Sequence, residues 1–337
     1  MAKANDKTLK IWILRLVPSG RFGRWISAAV ILLLGLIIYG VAAYSWSRAR
    51  GDVFRFPSWP TAAFFTCAVA YIVPVFHYIT KRSLQTVEGL KRYLPEPVAV
   101  QTEKQIEYRS VSWLARSTLA AVVLWLLQSR LLAGSWQNMW DILSYSMLDL
   151  CLSIGPLPVW LTMCVAMSAL LRNAIYFRDL SKQLNVNIYE PDSFMPIGSM
   201  AVTSTLVVLG ALGLLSIMWV GGPVNWWTTL PAIAFFSPLL ILLLLVPVLP
   251  LRRQLVAQKE DAMIAAQAAV REAQRLPSQE TVAAMTNALA FRREVARLPS
   301  WPFDVPAITR FVSYAIIVPL TWIGAALIEM LVNAVVT

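Results

Sequence analysis

Among the ionisable side chains inside otherwise apolar runs, three are the residues whose type and position could do chemistry: Arg130, Asp149 and Glu329. A charge at the middle of a membrane helix costs about 2.5 to 3.5 kcal/mol on insertion scales, so each needs a partner, a wet cavity or a shallow position. Counted along their runs at about 1.5 Å per residue, all three fall in the outer part of a bilayer, close enough in depth to form one cluster. Two readings follow. In the first, Glu329, with Asp149, faces an aqueous path and favours cations while Arg130 restrains one carboxylate. In the second, the three are structural, an ion pair or snorkelling side chains that pin helix ends. His77 is the one histidine. It cannot supply bis-histidine haem ligation, and no Cys or carboxylate cluster stands at metal-ligand spacing around it, which leaves interfacial packing or pH sensing.

The remaining chemistry is sparse. The chain has no G-x-x-x-x-G-K-[ST], H-E-x-x-H or G-x-S-x-G string, and no G-x-G-x-x-G in a strand-to-helix setting. No enzyme and no cofactor is expected on these grounds. Cys67, Cys151 and Cys164 each fall within an apolar run, too few and too scattered for a disulfide framework.

The elements that must position these residues are seven apolar runs: Trp25–Trp46, Pro60–Thr80, Ser110–Leu132, Leu143–Leu171, Ile197–Val220, Thr228–Leu249 and Val305–Val336. Crossing a hydrocarbon core about 30 Å thick takes roughly 20 apolar helical residues, and each run is long enough. Backbone amides have no water to bond in lipid, and runs without period-two alternation resolve that need as helices. At 58% hydrophobic and 14% charged residues, the 337-residue chain is too apolar for an ordinary soluble domain. The expected fold is an all-α polytopic bundle of about seven transmembrane helices.

Lys and Arg residues concentrate in four stretches, 3–24, 81–109, 172–182 and 252–310, whereas the intervening outer loops carry only Arg48, Arg50 and Arg55 in the first and none in 133–141 and 221–227. Retention of basic residues on the cytoplasmic side then sets the N-terminus inside and, after seven crossings, the C-terminus outside. The first run reads as a retained anchor, being longer than a signal-peptide core. A formal net charge of +11, gathered on one side, suits an anionic leaflet. Nucleic acid is not an expected partner, because the aromatics sit at span ends instead of on a basic face.

Four regions result. Residues 1–24 form a basic amphipathic leader, in which Thr8–Val17 is expected to lie flat on the inner leaflet. Residues 25–250 hold six spans, and 305–337 the seventh. Residues 251–304 are expected to be a cytoplasmic helical hairpin, broken near Pro277, with Val256, Met263 and Val270 recurring every seven residues in its first arm. The segment 177–196 is expected as a short helix followed by an ordered turn at Glu190, Pro191 and Asp192.

Two strings, Arg292–Phe311 (RREVARLPSWPFDVPAITRF) and Asn185–Ile197 (NVNIYEPDSFMPI), resemble uncharacterised bacterial polytopic membrane proteins with a Leu-Pro-x-Trp-Pro-Phe-Asp stretch before their last span. That resemblance covers about a tenth of the chain and implies a bacterial cytoplasmic membrane. In layout alone, seven spans with a cytoplasmic helical segment before the last is similar to insect odorant and gustatory receptors. That likeness implies an oligomeric cation channel, although the Thr-Tyr and Gln-Phe features of that family's last span are absent. The leading expectation is an oligomeric channel with the last span lining the conduit and the cytoplasmic helices holding subunits together. A non-catalytic scaffold binding a partner membrane protein through 251–298, and a secondary transporter, are the alternatives. Expected partners are membrane lipids, including anionic ones, and further copies of the chain.

Overall fold

The computed structural model of the protein describes residues 8–51, 54, 56, 58–94, 106, 108–133, 137, 146–219, 226–274, 278–303 and 305–336, with several helical stretches, chiefly 226–236 and 328–336, described by backbone alone. The expected outer loops at 133–141 and 221–227 and the connector around Pro95 and Pro97 fall mostly outside the described residues. The helices are α1 (Gly23–Ala49), α2 (Trp59–Leu90), α3 (Val111–Ala133), α4 (Met147–Ile154), α5 (Pro156–Gln183), α6 (Met195–Gly213), α7 (Trp226–Ala273), α8 (Ser278–Arg297) and α9 (Val305–Val336). Among the described residues, six stretches are long and apolar enough to cross a membrane: Gly23–Ala49, Trp59–Tyr93, Val111–Leu131, Met147–Gln183, Met195–Met218 and Ser237–Ala273. The chain is an integral membrane protein built as an all-α helix bundle. In the place of the seventh apolar run stands α9, a continuous helix of 32 residues.

Proline sets several helix starts. Pro60, Pro156 and Pro196 each occupy the first turn of a helix, where the missing N–H would find no partner in any case. The end of α1 is marked by Gly51 at φ +70°, a left-handed conformation that a side chain resists and that takes the chain out of the helix. Pro74 lies inside α2 and removes one internal hydrogen bond.

Helix boundaries differ from the apolar runs for physical reasons. The fourth run divides at Gly155 into α4 and α5, because Pro156 and Pro158 interrupt the amide ladder, and α5 then continues past Leu171 to Gln183. The sixth run does not stop near residue 250. Its helix α7 runs unbroken for 48 residues, about 72 Å at ~1.5 Å per residue, so more than half of it must project beyond a ~30 Å hydrocarbon core. α8 packs back along that projection as an antiparallel partner.

The C-terminal halves of α2, α5 and α7 share one apolar cluster that includes Ile79, Val87, Leu90, Leu180, Leu184, Leu251 and Leu255. These ends therefore lie together at one end of the bundle, the end that also carries Lys81, Arg82, Lys91, Arg92, Arg178, Lys182, Arg252 and Arg253. Outside the apolar contacts, helices are joined by polar links. The Tyr71 hydroxyl donates to the Val207 carbonyl at 3.1 Å, the Trp125 indole donates to the Ser153 carbonyl at 3.0 Å, and the Ser117 and Ser168 hydroxyls stand 3.0 Å apart. Such bonds hold helices together where no water competes.

The leader overturns one expectation. Thr8–Lys10 pairs antiparallel with Tyr108–Ser110, Thr8 opposite Ser110, and a 3₁₀ turn follows over Trp12–Leu16. Ile11 and Ile13 are fully buried, packed with Val73, Phe76, Trp113, Val165 and Ala169 from α2, α3 and α5. Ile11, Ile13, Leu14 and Val17 thus plug the bundle between helices instead of lying on a leaflet, while Leu16 stays exposed. Full burial of Ile11 and Ile13 against three helices, with a strand partner for the amides of the preceding Thr8–Lys10, outcompetes a one-sided lipid contact.

Candidate functional site

The described residues converge most closely at a junction on the basic end of the bundle, and α7 builds it. Gln258 clamps the loop after α5: its Oε1 accepts from the Ile188 amide at 3.0 Å and its Nε2 donates to the Val186 carbonyl at 2.6 Å. This pair of bonds imitates a strand partner for a backbone that belongs to no sheet. Val186 and Ile188 are buried, so without Gln258 two backbone groups would be dry and unpaired. The loop also braces itself. Asn187 Oδ1 accepts from the Tyr189 amide, and Ser193 Oγ lies 2.7 Å from the Glu190 carbonyl. The turn expected at Glu190 to Asp192 is a 3₁₀ turn over Pro191–Ser193 leading straight into α6.

One residue farther along α7, Lys259 reaches the other segment. Its Nζ donates to the carbonyls of Ala296 at 2.9 Å, in the last turn of α8, and of Leu298 at 2.6 Å, the residue just past its end, neither of which accepts a helical hydrogen bond. Arg252 then covers the Trp301 ring, its guanidinium carbon 4.2 Å from the ring centroid, and Trp301 stacks on Phe303 with centroids 5.9 Å apart. The turn between α8 and α9 finally presses on the start of α6. A side-chain carbon on Gly198 would collide with the Pro302 carbonyl, so this close approach needs glycine.

The two strings singled out by sequence, Asn185–Ile197 and Arg292–Phe311, are therefore neighbours in space. α7 grips both, through Gln258 on one side and Lys259 with Arg252 on the other. Sequence reading did not identify Gln258, Lys259, Arg252 or Gly198 as joint residues. The available signal was weak: a glutamine and a lysine on a helix otherwise solvated, and a glycine just inside a helix start.

The residues predicted to form an intramembrane cluster are placed apart in role. Asp149 sits in the first turn of α4, where its amide donates to Ser146 Oγ at 3.1 Å and its carboxylate accepts from the same hydroxyl at 2.6 Å. Ser146 is thus the N-cap of α4, its hydroxyl held in place by the Asp149 carboxylate. Arg130 lies in the last turn of α3, half-buried. Among the described residues no ion pair joins Arg130 to Asp149; the pairs present are Lys91 with Glu88, and Asp179 with both Arg178 and Lys182. Glu329 falls on α9, and its side chain lies outside the described residues. His77 is half-buried on α2, one residue after the buried Phe76. The three cysteines are free.

Two further features mark the same end. Arg24 lies over Tyr78 at 5.3 Å and Arg172 over Trp113 at 5.9 Å, cations held against rings at the rim of the bundle. An apolar cavity of about 40 Å³ opens between α2, α5 and α6, lined by Tyr71, Phe76, Met163, Met167 and Val207 among others. Its size, near that of a few water molecules, and its lack of polar lining give it no grip on a solute. Compared with protein-family models, curated proteins and solved structures, the chain matches none.

Proposed function

We propose that this integral membrane protein is the subunit of an oligomeric ion channel in a bacterial cytoplasmic membrane, crossing seven times with its N-terminus inside and its C-terminus outside, and with α9 lining the conduit. The observation that carries the reading is the position of α9. It rests on α6 and on the 3₁₀ turn Leu214–Trp219, while Ile308, Val312, Tyr314, Ile316, Ile317, Leu320, Ile323 and Leu327 are all exposed in the single chain. A helix held along one strip has the rest of its girth open to lipid or to the same helix of other copies. Its start is fixed by the junction described above, so a displacement of the α7–α8 hairpin would move α9 directly. Glu329 supplies that helix with a carboxylate that would favour cations. Support for the sidedness comes from the basic residues at the junction end.

The test is purification into lipid nanodiscs, measurement of mass and symmetry, and recording in planar bilayers. A cyclic homo-oligomer with conductance whose cation preference falls in Glu329→Gln is the expected result. A monomer without conductance refutes it. A second reading, a scaffold that binds another protein through its projecting helices, is favoured by the apolar residues Ile264, Val282 and Leu289 exposed on α7 and α8. A stoichiometric partner that co-purifies and is lost on deleting 278–297 would favour that reading.

A further inference from the structure

The projecting part of α7 and its partner α8 carry charge and apolar surface in a pattern their own packing does not use. Inside the hairpin, Ala266 and Ala273 of α7 and Ala288 and Val295 of α8 are buried against the pair. The outward side of α7 presents Glu260, Asp261 and Ile264, with Ile264 65% exposed. The outward side of α8 presents Val282, Leu289, Arg293 and Arg297, the first two 73% and 45% exposed. Glu260 and Ile264 are one turn apart on one helix face, as are Leu289 and Arg293 on the other. Among the described residues, neither Glu260 nor Arg293 has a side-chain partner within the chain.

The Lys259 bonds to the carbonyls of Ala296 and Leu298 fix the relative height of the two helices. Counted from that point along antiparallel helices, Ile264 stands between the heights of Leu289 and Arg293, and Glu260 between those of Arg293 and Arg297. Copies of a membrane protein in one bilayer share one orientation, so a rotation about the membrane normal keeps every height unchanged. The acidic and apolar face of one α7 then meets the basic and apolar face of the next α8 in register. Such a contact is heterologous, joining two different surfaces, and about an axis along the membrane normal it closes into a ring when the rotation per copy divides a full turn. An isologous contact built on the α8 face alone, about a two-fold along the membrane normal, would instead set Arg293 and Arg297 of one copy against the same residues of the other.

We infer that a second copy of this chain covers this face, its α8 stripe Leu289, Arg293 and Arg297 seating on Glu260 and Ile264 of its neighbour. The inference rests on the oligomeric reading above and names the surface that makes the oligomer. Opposite charges at matched height set the register, and the exposed Ile264 and Leu289 supply the apolar contact that water would otherwise surround.

The experiment uses the full chain in nanodiscs with Cys67, Cys151 and Cys164 replaced by Ala. One tagged chain carries Ile264→Cys and a second, differently tagged chain carries Leu289→Cys. Oxidation of the co-expressed pair should link the two tags, and neither chain alone should cross-link. In parallel, Glu260→Arg should convert most of the oligomer to monomer by native mass, and adding Arg293→Glu with Arg297→Glu should restore it. An intact oligomer that shows no cross-link, or that links only identical positions, or that is unchanged by Glu260→Arg, overturns the surface while leaving the oligomeric reading in place. A monomeric unsubstituted chain overturns both, and a foreign protein found covering Ile264 and Leu289 overturns the assignment of the occupant.

Discussion

Replacing Gln258 by Ala removes both bonds that hold the loop after α5, and the size of the effect can be worked from the geometry. The lost contacts are the Ile188 amide to Oε1 at 3.0 Å and Nε2 to the Val186 carbonyl at 2.6 Å. A net hydrogen bond contributes about 0.5 to 1.5 kcal/mol, but a buried group left unpaired costs about 1 to 3 kcal/mol. Ile188 and Val186 are 3% and 5% exposed, so water cannot take over without the loop lifting. The expected loss is about 2 to 4 kcal/mol, concentrated in local opening of the loop and not in the whole bundle. Since roughly 1.4 kcal/mol is tenfold, the Ile188 amide should exchange hydrogen at least ~30 times faster in Gln258→Ala. Hydrogen exchange read by mass spectrometry on peptides covering 185–193, in detergent or nanodiscs, measures this. Gln258→Glu is the informative control. It keeps an acceptor for Ile188 but sets a carboxylate against the Val186 carbonyl, so its exchange should also rise. Exchange in Gln258→Ala within threefold of the unsubstituted protein would refute the reasoning, because the clamp would then carry no load.

Other perturbations test other parts of the account. Gly198→Ala should dislodge the turn around Pro302 at a cost of about 1 to 3 kcal/mol, visible as a lowered melting temperature and protease cutting between α8 and α9. Ser146→Ala should destabilise α4 by about 1 kcal/mol through loss of the cap, read as faster hydrogen exchange of the Asp149 amide. Ile13→Asp should expel the N-terminal plug, because an unpaired carboxylate cannot stay in that packing; spin labels at residue 12 would report the gain in mobility.

The parts of the fold legible in sequence were those set by composition. Long apolar runs force helices wherever lipid is the solvent, and six of them appear as helices long enough to cross. The continuation of the sixth run into a helical hairpin was legible too, because strong helix formers follow Leu251 without a break until Pro277. Less legible was anything decided by contact between distant segments. Thr8–Val17 has the pattern of a surface-lying helix, and only the presence of Val73, Trp113 and Val165 around it makes it a plug. Asp149 and Ser146 stand three residues apart in the spacing of a helix cap, but inside an apolar run that spacing was outweighed by the cost of a buried charge. The junction at Gln258 was invisible for a similar reason. A glutamine on a solvated helix carries no sign that a loop seventy residues away lacks partners for its backbone.

The most direct test is the sidedness of the hairpin relative to the end of α9. Single cysteines placed at Ala290 and at Val336 in an otherwise cysteine-free chain can be labelled with a membrane-impermeant maleimide in intact cells and in inverted vesicles. The account predicts that position 336 reacts from outside and position 290 only from the cytoplasmic face. Both positions reacting from one face would contradict the seventh crossing, and with it a conduit lined by α9.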